Sequence, residues 1–460
     1  MRVDPATLRD LEILDAGEGA TPLAALVDHT LTARGRDRLR GRLRQPLRTL
    51  DEIRGTQDAV RHLLARVDAV RTVLGRLGAG DVEAYLGLRW EPARARTRAG
   101  LSLEGAILRV RYSDALREIL RGVALARTLV DGVAPLLEAL GDRPPTVLRL
   151  AIENIRAARD DRAIAEVQRA SRALSRAEAL RLDRLLRGDG RPALRTVLAG
   201  LAELDALQSL AFAVRRNGWT IPEFLDDAEP RLTLLGLRHP LMTDGIPNDV
   251  HWPSGVRVAA ITGPNMAGKT TLLKATALAV YLAHCGTGVP ARVARLTPAD
   301  ACFSSLYVRD NLAGGESFYL AEVRRVRQLA ALLSEYRNVF AVIDEPFKGT
   351  NIRDASDASD LLLAALARHP GCRVLLATHL ADVVRHRLGV AGLEALRLEG
   401  QLTQHGLRFD FALRAGISEQ RLGMELLRRE GVVHLLENRF EAPPVPQGPL
   451  APGAQGPATG

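Results

Sequence analysis

Ile261-Thr262-Gly263-Pro264-Asn265-Met266-Ala267-Gly268-Lys269-Thr270-Thr271 carries the spacing G-x-x-x-x-G-K-[ST], with Gly263, Gly268, Lys269 and Thr270 in the fixed places. The residues before it, Val256 to Ile261, are short and largely apolar and predict a buried strand. Those after it, Leu272 to Ala283, are rich in Leu and Ala and predict a helix. Strand, glycine loop and helix is the context in which this spacing cradles phosphates. The glycines let backbone N–H groups come close, and the helix adds its positive N-terminal end. Lys269 is then expected to reach the β- and γ-phosphates and the Thr270 hydroxyl to ligate Mg²⁺. The stretch predicts a nucleotide site.

Further chemistry lies downstream. Val339 to Ile343 is an apolar strand running into Asp344-Glu345. At such a strand end an Asp holds Mg²⁺ and a following Glu polarises the attacking water. Cys372 to Ala377 predicts another strand, ending in Thr378-His379, where a histidine can sense the γ-phosphate. Asn311 to Ser317, Gly-rich, precedes a helix with apolar Leu320, Val323, Val326 and Leu333, and Ser317 stands at its N-cap position. Arg231 to Leu237 is a further strand candidate, and Phe409 to Leu413 an edge strand before a closing helix around Gln420 to Arg429. Short strands alternating with helices from about 231 to 390 mark an α/β sheet domain.

The first half reads differently. Residues 7–225 are helical in pattern, in Leu/Ala/Arg/Glu segments broken by Gly/Pro clusters, with no run of alternating strand residues. Thr146 to Arg187 is the longest uninterrupted stretch and predicts a lever-like helix. Residues 1–225 carry 38 Arg against 30 Asp/Glu, so +8 of the total +9 lies there. That asymmetry suits a polyanionic partner, and equally a well-solvated helical surface. Arg34, Arg36, Arg38, Arg40, Arg42 and Arg44 would spread around a helix, which predicts ordinary solvated charge rather than a phosphate-binding stripe. No apolar run approaches ~20 residues, so no transmembrane helix is expected. The start, Met1-Arg2-Val3-Asp4-Pro5, lacks a signal-peptide core, so a cytoplasmic location is expected. Cys285, Cys302 and Cys372 are spaced as core thiols rather than as a metal site.

In this order the motifs resemble the MutS family of DNA mismatch-repair ATPases. Gly263–Thr271 resembles its phosphate loop, Asp310–Ser317 its signature loop, Asp344–Asn351 its acidic strand end, and Ala377-Thr378-His379 its histidine strand. Arg238-His239-Pro240 and Ile246-Pro247-Asn248-Asp249 also fit, and more weakly Leu26–Thr32 to Leu43–Leu47 and Ala202–Leu207, at the entry and exit of the family's helical core. The resemblance implies an all-α core/lever domain over 1–225, an α/β P-loop ATPase domain of ABC type over 226–440, and a disordered Pro/Gly-rich tail over 441–460. It implies ATP and Mg²⁺ as cofactors, with Gly263 through Thr271 around the phosphates and Thr270 and Asp344 on the metal. Lys269, Glu345 and His379 become the catalytic set, Ser317 acts across a homodimer, and Asn248 and Phe411 lie on the base side.

The chain departs from the family pattern in ways that bear on its load. It begins almost directly with the helical core, so a mismatch-reading domain with its Phe-x-Glu wedge and a connector are expected to be missing, and there is too little chain between Gly141 and Gly190 for the clamp. Pro346-Phe347 and Phe318 replace smaller residues. The expectation is an ATP-dependent DNA-binding protein of repair or recombination, with possible repair-protein partners and no membrane, that does not read single mismatches. The alternative is an ATP-driven protein-interaction switch without DNA contact.

Overall fold

The structure, a computed structural model, describes all residues except 172, 228, 308–316, 404–405, 421–426 and 438–460. The expected signature loop up to Glu316, most of the expected closing helix and the tail therefore lie outside the described residues. Met1–Ser418 form one compact unit and Glu419–Gly460 another.

Up to Asn217 the described residues fold as helices behind one short strand. β1 (Arg2–Val3) leads into α1 (Pro5–Asp10), α2 (Leu23–Val27), α3 (Ala33–Arg44), α4 (Leu50–Leu64), α5 (Val67–Arg76) and α6 (Ala79–Leu86). Then come α7 (Arg98–Arg111), α8 (Ser113–Leu140), α9 (Thr146–Arg159), α10 (Arg162–Arg169), α11 (Arg176–Arg187) and α12 (Arg191–Asn217). Local chemistry sets the starts: Thr32 caps α3, and Thr49–Glu52 and Ser175–Glu178 form capping boxes on α4 and α11.

The lever-like helix expected over Thr146–Arg187 is instead three helices. Asp160-Asp161 is the reason for the first break, because the Asp161 carboxylate caps Ala163 and Ile164 and so starts α10 afresh. Ser175 does the same for α11. Helical spacing of apolar residues survived both breaks, so periodicity alone could not show them.

α12 is the spine of this half, packing against α3, α4 and α9. By length and composition it could cross a membrane, which a run-length reading missed because polar residues interrupt it; 83% of its most apolar stretch is buried inside the protein. Its buried Asp205 accepts N–H bonds from Leu31 (3.0 Å) and Thr32 (2.9 Å) and a bond from Gln208 Nε2 (2.8 Å). Glu203 pairs with Arg38 and Arg42. The expected helical-core entry and exit segments thus hold each other. Five of the six alternating arginines of α3 are engaged in such pairs, Arg34 with Glu83, Arg36 with Asp28 and Arg40 with Asp15 besides the two on Glu203.

Beyond α12 come β2 (Glu223–Phe224), β3 (Leu232–Leu237), β4 (Asn248–Trp252), β5 (Val258–Thr262), α13 (Lys269–His284), β6 (Val293–Leu296) and β7 (Ala301–Ser305). They are followed by α14 (Phe318–Glu335), β8 (Val339–Asp344), α15 (Ile352–Arg368), β9 (Cys372–Thr378) and α16 (Ala381–His386). β10 (Leu393–Arg397), β11 (Gly400–Thr403), β12 (Gly406–Phe409), β13 (Arg414–Ala415) and, in the second unit, α17 (Val432–Glu437) complete the chain. The seven-stranded sheet runs β1-β7-β8-β9-β5-β10-β13, parallel except for β10–β13. β2-β6-β3-β4 form a second sheet and β11–β12 a hairpin.

Two corrections concern strands. Phe409–Leu413 is not an edge strand: β12 ends at Phe409, and Phe411 turns into the left-handed region at φ 53°. Conversely, Arg2–Val3 joins the sheet beside β7, too short a segment to show a period.

The sheet is buried on both faces, as its parallel strands require. Phe340, Val342, Leu375, Ala377 and Ile261 face α13 and share one core with the helical half. Ala341, Ile343, Val374, Leu376 and Ala260 face the other way, toward Leu363 and Leu366 of α15 and Val384 of α16. α13 is buried nearly all round. Its Tyr281 hydroxyl bonds the Leu43 carbonyl, and Gly286 just past it (φ 73°) lies where a Cβ would sit 2.6 Å from the Thr56 side chain.

Candidate nucleotide site

Three neighbouring strands, β8, β9 and β5, end at the same edge of the sheet, the carboxyl edge where open α/β sheets bind ligands. The glycine loop leaves β5 there. A Cβ on Gly263 would run into the Leu398 carbonyl, and Gly268 holds φ 90° with the Phe411 ring 3.1 Å from where its Cβ would be. Only glycine fits both. Ala267 is buried, Asn265 and Thr271 are exposed, Pro264 is partly buried, and Met266 stands 71% exposed at φ 73°.

Lys269 opens α13 with its side chain folded back over the loop. Its Nζ donates to the carbonyls of Gly263 (2.8 Å) and Pro264 (3.1 Å) and lies 3.7 Å from Glu345 Oε1. The adjacent Thr270 hydroxyl bonds Asp344 Oδ2 across from β8. Asp344 Oδ1 is buried and has no hydrogen-bond partner among the described residues. A buried carboxylate oxygen without a donor is costly, and beside a threonine hydroxyl it is the oxygen set a hard divalent cation takes, with water and phosphate oxygens completing the shell. Burial pushes the Asp344 carboxyl up from its ordinary range, and the neighbouring Glu345 adds to this.

Glu345 sits at φ 47°, a left-handed conformation rare outside glycine, fixed by its N–H bond to the Ala377 carbonyl (2.9 Å). The His379 ring, with Nδ1 3.8 Å from Oε1, holds the Glu345 carboxyl below its usual range against the opposing effect of partial burial, and Lys269 adds to this. The two adjacent acids are thus driven apart, one raised by its burial and one held ionised.

On the far side of the loop, Phe411, Ile246, Met242, His239 and Leu272 line a recess of about 140 Å³. Asn248 is not free to read a ligand there. Its amide donates to the Phe411 carbonyl (2.9 Å) and accepts from the Leu413 N–H (2.8 Å), so it braces the Phe411 turn from behind.

Ser317 caps α14 through the Leu320 N–H (3.3 Å). Leu320 and Val323 of this helix are exposed, whereas Leu329 is buried and Val326 and Leu333 pack on the second core. Phe318 of α14 and Phe347 both lie where α14 meets the turn after the acids. Tyr319 lies 6.3 Å from the Phe347 ring, and a Cβ on Gly349 would come 2.5 Å from Phe318. Glu322, buried, accepts the N–H groups of Lys348 (3.2 Å) and Gly349 (3.0 Å), tying α14 to the turn after the acids. Sequence reading missed Glu322, and it missed Lys274 of α13, which pairs with Glu12 across 262 residues of chain. Neither lies in a motif; each acts through a partner distant in sequence.

A helical domain followed by an α/β sheet domain with a glycine loop, an acid pair and a histidine on adjacent strand ends defines a narrow class. Residues 6–211 match MutS domain III and residues 259–436 match MutS domain V. The DNA mismatch repair protein MutS of Treponema pallidum is 35% identical over 250 residues, 52% of this chain and 27% of that protein. That of Nitratidesulfovibrio vulgaris is 31% identical over 259 residues, 55% of this chain and 28% of the relative. That of Aquifex pyrophilus is 25% identical across 94% of this chain and 60% of its own length. The chain belongs to the MutS family. It spans between about a quarter and three fifths of these relatives.

Proposed function

We propose that the chain is a P-loop ATPase of the MutS type that uses ATP and Mg²⁺ to control its hold on DNA in repair or recombination, without reading single mismatches itself. The observation that carries it is the convergence of Lys269, Thr270, Asp344 and Glu345 from the ends of β5 and β8. Lys269 exchanges its two loop carbonyls for phosphate oxygens. Thr270 and Asp344 hold Mg²⁺, which neutralises charge on the β- and γ-phosphates. Glu345, kept ionised, orients a water, and His379 fixes the Glu345 carboxylate. Phe411, braced by Asn248, offers its ring to the base.

The active unit in this reading is a homodimer, with Ser317 at the positive end of α14 facing the partner's γ-phosphate. Met266 of the loop and Ile352 at the start of α15 are each 71% exposed, apolar side chains that a second copy would cover in this reading. Helical core over 1–225, ATPase over 226–440, tail over 441–460 and a cytoplasmic location belong to the same proposal; cell fractionation checks the last.

The test is ATP turnover by the full chain with and without mismatched, looped, branched and single-stranded DNA. Lys269→Ala is expected to lower turnover roughly 100-fold or more, the scale for removing a positioned charge from a reacting site. Glu345→Gln is expected to keep ATP binding and lose hydrolysis. Unchanged turnover in both variants sinks the ATPase reading, and no DNA binding at low salt sinks the DNA reading.

A further inference from the structure

Far along the chain from the nucleotide site, the segment Gly87–Tyr112 carries six arginines and two acids, so half of the first half's +8 lies within 26 residues. Both acids are engaged locally: Glu91 pairs with Arg94 (2.7 Å), and Glu104 accepts the N–H groups of Arg94 and Ala95 (3.1 Å each). Among the described residues, Arg89, Arg96, Arg109 and Arg111 are exposed and have no acidic partner at ion-pairing distance. This contrasts with α3, where five of six arginines have an acidic partner. Between the bare arginines, Trp90 and Tyr112 pack ring to ring at 5.3 Å while remaining 42% and 47% exposed. Leu103, Ile107 and Val110 continue an apolar strip along α7, Val110 being 84% exposed.

The surface is held rigid from beneath. Ala93, Leu101, Leu116 and Leu180 form a small core of their own. Arg184 of α11 donates to the Ala95 carbonyl (2.6 Å) and Arg187 to that of Trp90. Arg187 in turn is locked in a buried pair with Asp183 (2.6 Å), which also accepts the Tyr85 hydroxyl (2.8 Å). A buried ion pair spent on presenting one loop carbonyl fixes the geometry of an otherwise exposed turn.

We propose that this surface binds single-stranded DNA, the aromatic pair and apolar strip taking the faces of unpaired bases and the four free arginines their phosphates. The proposal rests on the DNA-binding reading above and names the part of the chain that makes contact. Bare arginines call for a polyanion. Exposed aromatic rings among them call for one whose bases are unstacked, because a B-form duplex hides its base faces. Three apolar side chains make too narrow a face for a helix lying in a membrane interface.

The test measures binding of a fluorescent oligodeoxythymidylate, its hybrid duplex and the matching oligouridylate to the full chain. The variants are Arg109→Glu/Arg111→Glu and Trp90→Ala/Tyr112→Ala, with thermal unfolding as the check on folding. The aromatic pair of substitutions is expected to weaken single-strand binding about tenfold or more and leave duplex binding nearly unchanged. Charge reversal is expected to weaken both and reduce the salt dependence of single-strand affinity by more than one unit of log–log slope. If both variants bind single strands as the parent does, the surface is wrong while the DNA reading stands. If the parent binds no DNA, both fall. Tighter binding of oligouridylate, binding to phosphatidylserine vesicles instead of DNA, or self-association abolished by Val110→Ser would each overturn the proposal.

Discussion

Helices α13 and α7 are close in length and opposite in setting. α13, 16 residues from Lys269, is buried from Leu272 to its end between the sheet and the helical half, and even its Lys274 and His284 are enclosed. α7, 14 residues from Arg98, buries only Leu101 and Gly105. The first helix can move only if two layers move with it; the second can be covered without disturbing anything. That difference separates a helix enclosed on most sides from one open to solvent. It also says where the chain tolerates change.

The contrast breaks most visibly at the buried end. Asp205→Ala would strand the Leu31 and Thr32 N–H groups. It is expected to cost about 3 kcal/mol or more, read as a lower urea midpoint, with Asp205→Asn recovering part. Gly286→Ala, at φ 73° against Thr56, is expected to cost about 2 kcal/mol by the same measurement. If Gly286→Ala proves neutral, α13 is not clamped by the helical half.

Acid should weaken the same clamp. His284 is neutral and fully bonded: its Nδ1 donates to the Leu47 carbonyl (3.3 Å) and its Nε2 accepts the Ala299 N–H (3.0 Å). Burial pushes its pKa down from 6.5 to about 3. The unfolded chain therefore binds a proton that the folded chain refuses. The stability that depends on neutral His284 is complete above pH 6.5 and falls as pH drops from there toward the folded value. Between about pH 7.5 and pH 5.5 the loss from this group is about 1.4 kcal/mol, and His284→Gln should flatten that slope. The smallest effect belongs to α7: Val110→Ser is expected to stay within about 0.5 kcal/mol.

Much of the candidate site's placement could be read in advance because its residues sit at fixed offsets from strand ends. Lys269, Thr270, Asp344, Glu345 and His379 follow runs whose apolar character is unmistakable, so the motif and its context arrive together. Asn248 and Phe411 were legible only as positions; that the first braces the second depends on a turn with a left-handed residue, which no period announces. The helical half was legible as helical but not as helices, since Asp161 and Ser175 interrupt it without disturbing the apolar spacing. Glu322 and Glu12 left no trace, because each carboxylate declares itself only through a partner distant in sequence.

The two residues of β1 have a consequence in time. They pair with Ala301 and Cys302 of β7, and the Met1 amino group bonds the Leu47 carbonyl (2.6 Å). A ribosome adding 5–20 residues per second needs roughly 15–60 s to reach β7 after making β1. β1 therefore waits, unpaired, for a neighbour made some 300 residues later in the sheet domain. Its docking closes a loop of about 300 residues, so this edge pairing cannot form until β7 has been made.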